Sequence, residues 1–258
     1  MSVSAPFDLP GDDRGVLLIH GFTGAPEGLR YLGEQLAARG VTVRAPLLPG
    51  HGTRVEDLEH VTWHDWADHV VAEYDALAAR CRTVAVVGQS MGGVLALHVG
   101  LERAATVGAV ATLAAPLWIA GLAAQVTRWT APGAWLAGRL RFVPKIGGPD
   151  VRSPEAKRGY HGYSKVSIAA LHQLMALIDA VAARLEAVRA PVLVLHGKDD
   201  HTVPVACAPA LAARTRAERL RILDRSFHLL ASDVERDVVA AEVGAFVDRH
   251  LARHQRSA

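Results

Sequence analysis

Short, continuous apolar runs alternate along this chain with longer stretches whose apolar residues recur every three or four positions. The runs at 15–20, 83–87, 107–113 and 191–196 carry almost no polar residue, which suits strands buried on both faces of a parallel sheet. Shorter runs at 41–45 and 220–223 read as further strands. The helical periods fall between them. Pro26 sits near the start of one helix to about Arg39, which Gly40 is placed to end. A second runs from Thr62 or Trp63 to about Ala79, with Trp66, Val70, Tyr74 and Leu77 on one face. Others are expected over 94–103, 168–187 and 204–214. A last helix to about Ala252 opens on Ser232-Asp233-Val234-Glu235, a capping-box spacing. Strands alternating with helices predict an α/β chain with a doubly wound, mostly parallel sheet.

The pattern breaks once. After Pro116, tryptophans, prolines, glycines and basic residues replace the regular periods up to about Val166. This stretch reads as a small cap insertion, about 117–166, folded over the sheet of a single domain spanning 1–258. It holds eight basic residues, Arg128, Arg139, Arg141, Lys145, Arg152, Lys157, Arg158 and Lys165, against Asp150 and Glu155. Trp118, Trp129 and Trp135 lie there too. Basic residues beside tryptophan suit weak peripheral contact with anionic lipid. The competing reading is a lid whose tryptophans line a pocket.

Composition narrows the function classes. With 258 residues, 28 basic and 26 acidic, the net charge of +2 leaves no footprint for nucleic acid. Cys81 and Cys207 are too few for a disulfide framework. The first fourteen residues hold Asp8, Asp12 and Asp13 and no apolar core of signal-peptide length. No run approaches the roughly 18 apolar residues of a membrane span. A cytoplasmic location is expected.

The chemistry centres on Gly88-Gln89-Ser90-Met91-Gly92, placed between a strand and a helix. In that setting G-x-S-x-G forms a nucleophile elbow, a turn so sharp that the flanking positions exclude a Cβ. A serine hydroxyl needs a base, and the base needs a third group to hold its tautomer. His228 lies between the last strand and the last helix, the only histidine so placed. The acid is Asp199 or Asp200. The spacing Gly197-x-x-Asp200-x-x-Val203-Pro204 points to Asp200 and leaves Asp199 as a turn former. His196, Asp199, Asp200 and His201 also permit a metal reading, but lack a ligand spacing of any common pattern. Two backbone donors should face the oxyanion, the N–H of Met91 and one from the loop His20-Gly21-Phe22-Thr23-Gly24, taken as Phe22. His20 and His51 each precede a glycine and read as residues that set loop geometry.

With these residues in place, the chain resembles the small bacterial carboxylesterases and monoacylglycerol lipases of the α/β-hydrolase superfamily. Leu18-Ile19-His20-Gly21-Phe22-Thr23-Gly24, Gly50-His51-Gly52-Thr53, His64-Asp65-Trp66, the elbow with Gly93, Asp200-His201-Thr202-Val203-Pro204 and His228-Leu229-Leu230-Ala231 carry the likeness over about residues 15–250. It implies the α/β-hydrolase fold, Ser90, Asp200 and His228 as the triad, Phe22 and Met91 as oxyanion donors, and a cap over the acyl pocket. It implies neither metal nor cofactor. The expected substrate is a small acyl ester or a monoglyceride. One departure stands out: Ser164 follows Tyr163 where monoacylglycerol lipases are expected to carry a glutamate for the glycerol headgroup. An acyltransferase, and a slow or non-catalytic ligand-binding protein on the same scaffold, are the alternatives.

Overall fold

A computed structural model describes residues 5–119, 141–145 and 147–251. Its centre is a seven-stranded sheet. In chain order the strands are β1 (Phe7–Leu9), β2 (Arg14–Ile19), β3 (Thr42–Ala45), β4 (Thr83–Gln89), β5 (Val107–Leu113), β8 (Val192–Gly197) and β9 (Arg219–Leu223). In space they lie β1-β3-β2-β4-β5-β8-β9. All pairs are parallel except β1 with β3. The hydrophobic pattern does not predict β1. Its three residues are too short for a period to show, and an edge strand needs apolar residues on one face alone.

Two layers of helices cover the sheet, as a doubly wound fold requires. Leu17, Ile19, Val84 and Val86 pack with residues of α2 (Trp63–Ala78), α3 (Met91–Glu102), α5 (Ile168–Ala182) and α6 (Cys207–Thr215). Their neighbours Val16, Leu18, Ala85 and Val87 face the opposite side, against α1 (Arg30–Ala37) and α7 (Arg236–His250). Both faces are apolar, which is why the strand sequences do not alternate. Burial on each side of these residues is the main source of stability.

The register lines up the loops that carry the expected site residues. Ile19 pairs with Gly88, Gly88 with Thr112, Thr112 with Val194 and Val194 with Leu220. That row crosses the sheet near its carboxyl edge. Beyond it lie the segments carrying Phe22, Ser90, Asp200 and His228.

Three local expectations are corrected. The helix expected over 168–187 ends at Ala182, and Leu185–Ala187 forms a separate 3-10 turn. The helix expected from Pro204 begins at Cys207. The capping box at Ser232 does not form. Leu230–Ser232 is a 3-10 turn, Ser232 Oγ donates to Leu229 O at 3.3 Å, and α7 starts at Arg236. Glu235, which would have reached back to Ser232, instead accepts from Arg225 N–H and Ser226 Oγ–H at 2.8 and 2.7 Å. The turn that delivers His228 has taken the capping groups.

Within the expected cap, β6 (Phe142–Pro144) pairs antiparallel with β7 (Lys165–Ser167), and α4 (Pro154–Arg158) lies between them in sequence. Arg141 pairs with Glu59 and Arg152 with Asp199, so acids from outside the insertion offset part of its charge. Trp118 is 40% exposed. Trp129, Trp135, Arg128 and Arg139 lie outside the described residues. No helix among the described residues is long and apolar enough to cross a membrane.

Candidate active site

Ser90 occupies the single position between β4 and α3, at φ 57° and ψ −121°. A non-glycine residue there stores on the order of 1–3 kcal/mol of backbone strain. Its glycine neighbours are required by distance. A Cβ on Gly88 would stand 1.9 Å from Gly92 O, and one on Gly92 would stand 2.1 Å from Ile19 O. The turn lifts the Ser90 hydroxyl above the sheet at the positive end of the α3 dipole.

His228 is 5% exposed and spans the gap between serine and acid. Its Nε2 lies 2.9 Å from Ser90 Oγ, and its Nδ1 lies 2.8 Å from Asp200 Oδ2. An ionised carboxylate only accepts, so Nδ1 carries the proton and Nε2 is the acceptor for the serine hydroxyl. Asp199, the other candidate acid, points away. Its carboxylate takes Arg152 Nη2–H at 2.5 Å on an open surface.

Asp200 is held ionised by its surroundings. Burial alone would push its carboxyl pKa up, but the attraction of the His228 ring in its protonated form and hydrogen bonds from His196, His228 and Val203 N–H outweigh burial. The net shift is well below the usual carboxylate range. Oδ1 accepts Thr202 N–H and Val203 N–H at 2.8 and 2.7 Å. On Oδ2, His196 Nε2 approaches to 3.1 Å, and the same nitrogen is 3.2 Å from Val203 O. A carbonyl cannot donate, so His196 Nε2 is the protonated nitrogen and serves both acceptors. The four side chains of the metal reading are thus spent differently: Asp199 on Arg152, His201 on Asp150, and His196 together with Asp200 beside His228.

The loop after β2 closes the other side. A Cβ on Gly21 would lie 3.1 Å from Ser90 Cβ, so this loop passes in van der Waals contact with the serine. Phe22 follows Gly21 in this loop, and Met91 follows Ser90 in the elbow. Among the described residues neither N–H donates to another protein group.

Two buried histidines shape that loop. His20 Nε2 accepts Leu48 N–H at 3.1 Å while Nδ1 donates to Gly21 O at 2.9 Å. His51 Nε2 accepts Thr23 N–H at 3.0 Å while Nδ1 donates to Pro49 O at 3.0 Å. Each must be neutral to accept. Burial, then the neighbouring His51, pushes His20 down to about 3, and burial pushes His51 down to about 4. From the insertion, Tyr163 N–H donates to Thr23 O at 2.9 Å, and Lys145 donates to Thr23 Oγ1. Tyr163 OH donates to Gly50 O at 2.9 Å, so the residue before Ser164 braces the loop.

Gln89, Asp150, His196 and Asp233 were not among the residues expected to build this site. Gln89 Oε1 accepts Ala231 N–H at 3.0 Å. Asp233 is 1% exposed and takes the amides of Arg152, Ser153 and Val234 on Oδ1 and that of Phe227 on Oδ2. In the sequence Asp233 looked like a capping-box interior, and nothing marked the others as supports.

Comparison with known proteins identifies the family. The model of the family described as Serine aminopeptidase, S33 matches residues 12–235. A thermostable monoacylglycerol lipase of Bacillus sp. (strain H-257) is 34% identical over 97% of this chain and 96% of its own. A carboxylesterase of Bacillus subtilis (strain 168) is 28% identical over 95% of this chain and 96% of its own. A solved structure from the metagenome-derived lipolytic enzymes LipS and LipT superposes with a TM-score of 0.88 at 26% identity, covering 97% of this chain and 99% of that one. The chain belongs to the Serine aminopeptidase, S33 family, among the carboxylesterases and monoacylglycerol lipases of the α/β-hydrolase superfamily.

Proposed function

We propose that this ester hydrolase works through a Ser90–His228–Asp200 triad and a covalent acyl-enzyme. His228 Nε2 takes the Ser90 proton as Oγ attacks the ester carbonyl carbon. The tetrahedral oxyanion is held by the N–H groups of Phe22 and Met91. The imidazolium then protonates the leaving alcohol. Water, activated by the same nitrogen, releases the acid and restores Ser90. Asp200 remains ionised throughout and holds the productive tautomer. The observation that carries the reading is the continuous hydrogen-bond chain from Ser90 Oγ through His228 to Asp200.

The substrate class is small acyl esters, with monoacylglycerols included on the strength of the Bacillus sp. relative. No metal or cofactor enters the scheme. Turnover of p-nitrophenyl butyrate, lost in Ser90→Ala, tests the mechanism, and a chain-length series run beside glycerol monoesters tests the substrate. Full activity in Ser90→Ala would refute the mechanism. Turnover of the aryl esters without the glycerol monoesters would remove the monoglyceride assignment and leave the esterase.

A further inference from the structure

The acid and the base sit on loops from adjacent strands, and the chain joining those loops comes from neither. It is the segment 150–153, which reaches the sheet edge from the insertion after β5. Asp150 contacts both loops. Its Oδ2 accepts His201 N–H and Thr202 Oγ1–H, each at 2.9 Å, and its Oδ1 lies 2.8 Å from His201 Nδ1. Its backbone carbonyl accepts His228 N–H at 3.2 Å and Leu229 N–H at 3.1 Å. The side chain therefore grips the residues just after Asp200, and the main chain grips His228 itself. The following residues repeat the pattern. Arg152 reaches Asp199 on the acid loop and lies 4.6 Å from the centre of the Phe227 ring on the base loop.

We propose that Asp150 is a positioning residue that sets the spacing between the Asp200 loop and the His228 loop, which makes the insertion part of the triad's frame. This rests on the triad reading above. The physical need is plain: the 2.8 Å Asp200–His228 bond joins two loops that the sheet ladder no longer controls, since β8 and β9 stop at Gly197 and Leu223. Small misplacement of a catalytic group is costly in rate, on the order of 100-fold for about 1 Å. The side chain of Asp150 is 15% exposed, so its bonds to the acid loop are only partly open to competition from water.

The side-chain half of the clamp is testable because its geometry survives one conservative change. In Asp150→Asn the amide oxygen can keep the His201 and Thr202 donors, and the amide N–H can meet His201 Nδ1 in its other tautomer, which the exposed ring is free to adopt. Asp150→Ala removes all three contacts. The expected result is a kcat about 10- to 100-fold lower in Asp150→Ala, with KM within about threefold, and kcat largely restored in Asp150→Asn. The low-field proton resonance of the His228–Asp200 hydrogen bond should broaden or move in the alanine variant and return in the asparagine one. Should Asp150→Ala fold poorly, His201→Ala combined with Thr202→Val removes the two side-chain contacts from the opposite side, keeps the His201 N–H bond to Asp150, and should lower kcat by a smaller factor in the same direction. Wild-type kcat and an unmoved resonance in these variants, measured well below their melting temperatures, would overturn the proposal. Ser90→Ala run in parallel separates the two failures, since activity that survives it would refute the triad itself.

Discussion

Gln89 and Ala231 are joined by a hydrogen bond, Ala231 N–H to Gln89 Oε1 at 3.0 Å, across 142 residues of chain. Gln89 is the second residue of the elbow, and Ala231 lies three residues beyond His228. The bond thus ties the turn that carries Ser90 to the loop that carries His228, inside a wall where Gln89 is 5% exposed.

Replacing Gln89 with leucine should strand the Ala231 N–H in a buried place. An unsatisfied buried donor costs about 1–3 kcal/mol. Thermal unfolding should report that loss, and kcat should fall with it, whereas Gln89→Glu keeps an acceptor and should lose less. An equal Tm in Gln89→Leu and wild type would mean the amide finds water instead.

The two adjacent carboxylates should behave very differently. Asp200→Asn removes the charge that holds the His228 tautomer, and kcat should drop by about 10⁴-fold. Asp199→Asn removes an exposed pair with Arg152, both side chains more than 40% exposed, and exposed pairs contribute little. Steady-state kinetics on a p-nitrophenyl ester should therefore show near-wild-type turnover in Asp199→Asn. The reverse order would assign the acid to the wrong residue.

Strain at the elbow should be visible in stability once activity is set aside. Ser90→Ala keeps a Cβ at φ 57°, while Ser90→Gly relieves it. The relief, on the order of 1–3 kcal/mol, exceeds the 0.4–1 kcal/mol that glycine costs through the unfolded chain. Ser90→Gly should thus melt at or above Ser90→Ala by calorimetry, with both inactive.

The buried histidines predict how stability depends on pH. His20 at about 3 and His51 at about 4 both lie below the unfolded value of 6.5. The unfolded chain therefore binds more protons between those values, and stability is full above about pH 6.5 and falls as pH falls. Each histidine contributes about 1.4 kcal/mol per pH unit within its window. Asp200, held below its ordinary carboxylate value of 3.8, is ionised in both states above about pH 4.5 and adds slope only at lower pH, where the unfolded chain takes up its proton. Denaturant unfolding between pH 6.5 and 4.5 should give His51→Gln a slope shallower than wild type by about one proton. Identical slopes would place the proton uptake elsewhere.

What the chain states by itself is whatever depends on neighbours in sequence. The run at 83–87 followed by Gly88-Gln89-Ser90-Met91-Gly92 could be read as strand, elbow and helix because the turn is local: a Cβ on Gly88 meets Gly92 O at 1.9 Å, whereas the constraint on Gly92 comes from Ile19 O of the neighbouring strand at 2.1 Å. The start of α2 at Thr62 or Trp63 could be read from the helical period, and a local cap settles it: Thr62 accepts Asp65 N–H, and Asp65 accepts Thr62 N–H. The same rule failed at Ser232, where an identical spacing met stronger competitors. Glu235 had Arg225 and Ser226 to satisfy, and Asp233 had amides from two other segments. A side chain has few lone pairs, and tertiary contacts decide who receives them. For the same reason the contacts of Asp150 and Gln89 carried no signal in the sequence. Their partners lie 51 to 142 residues away, and nothing local distinguishes a side chain with such partners from a solvated one. The chain by itself states which residue types stand at spacings that suit the chemistry; only the folded arrangement decided which distant side chains meet them.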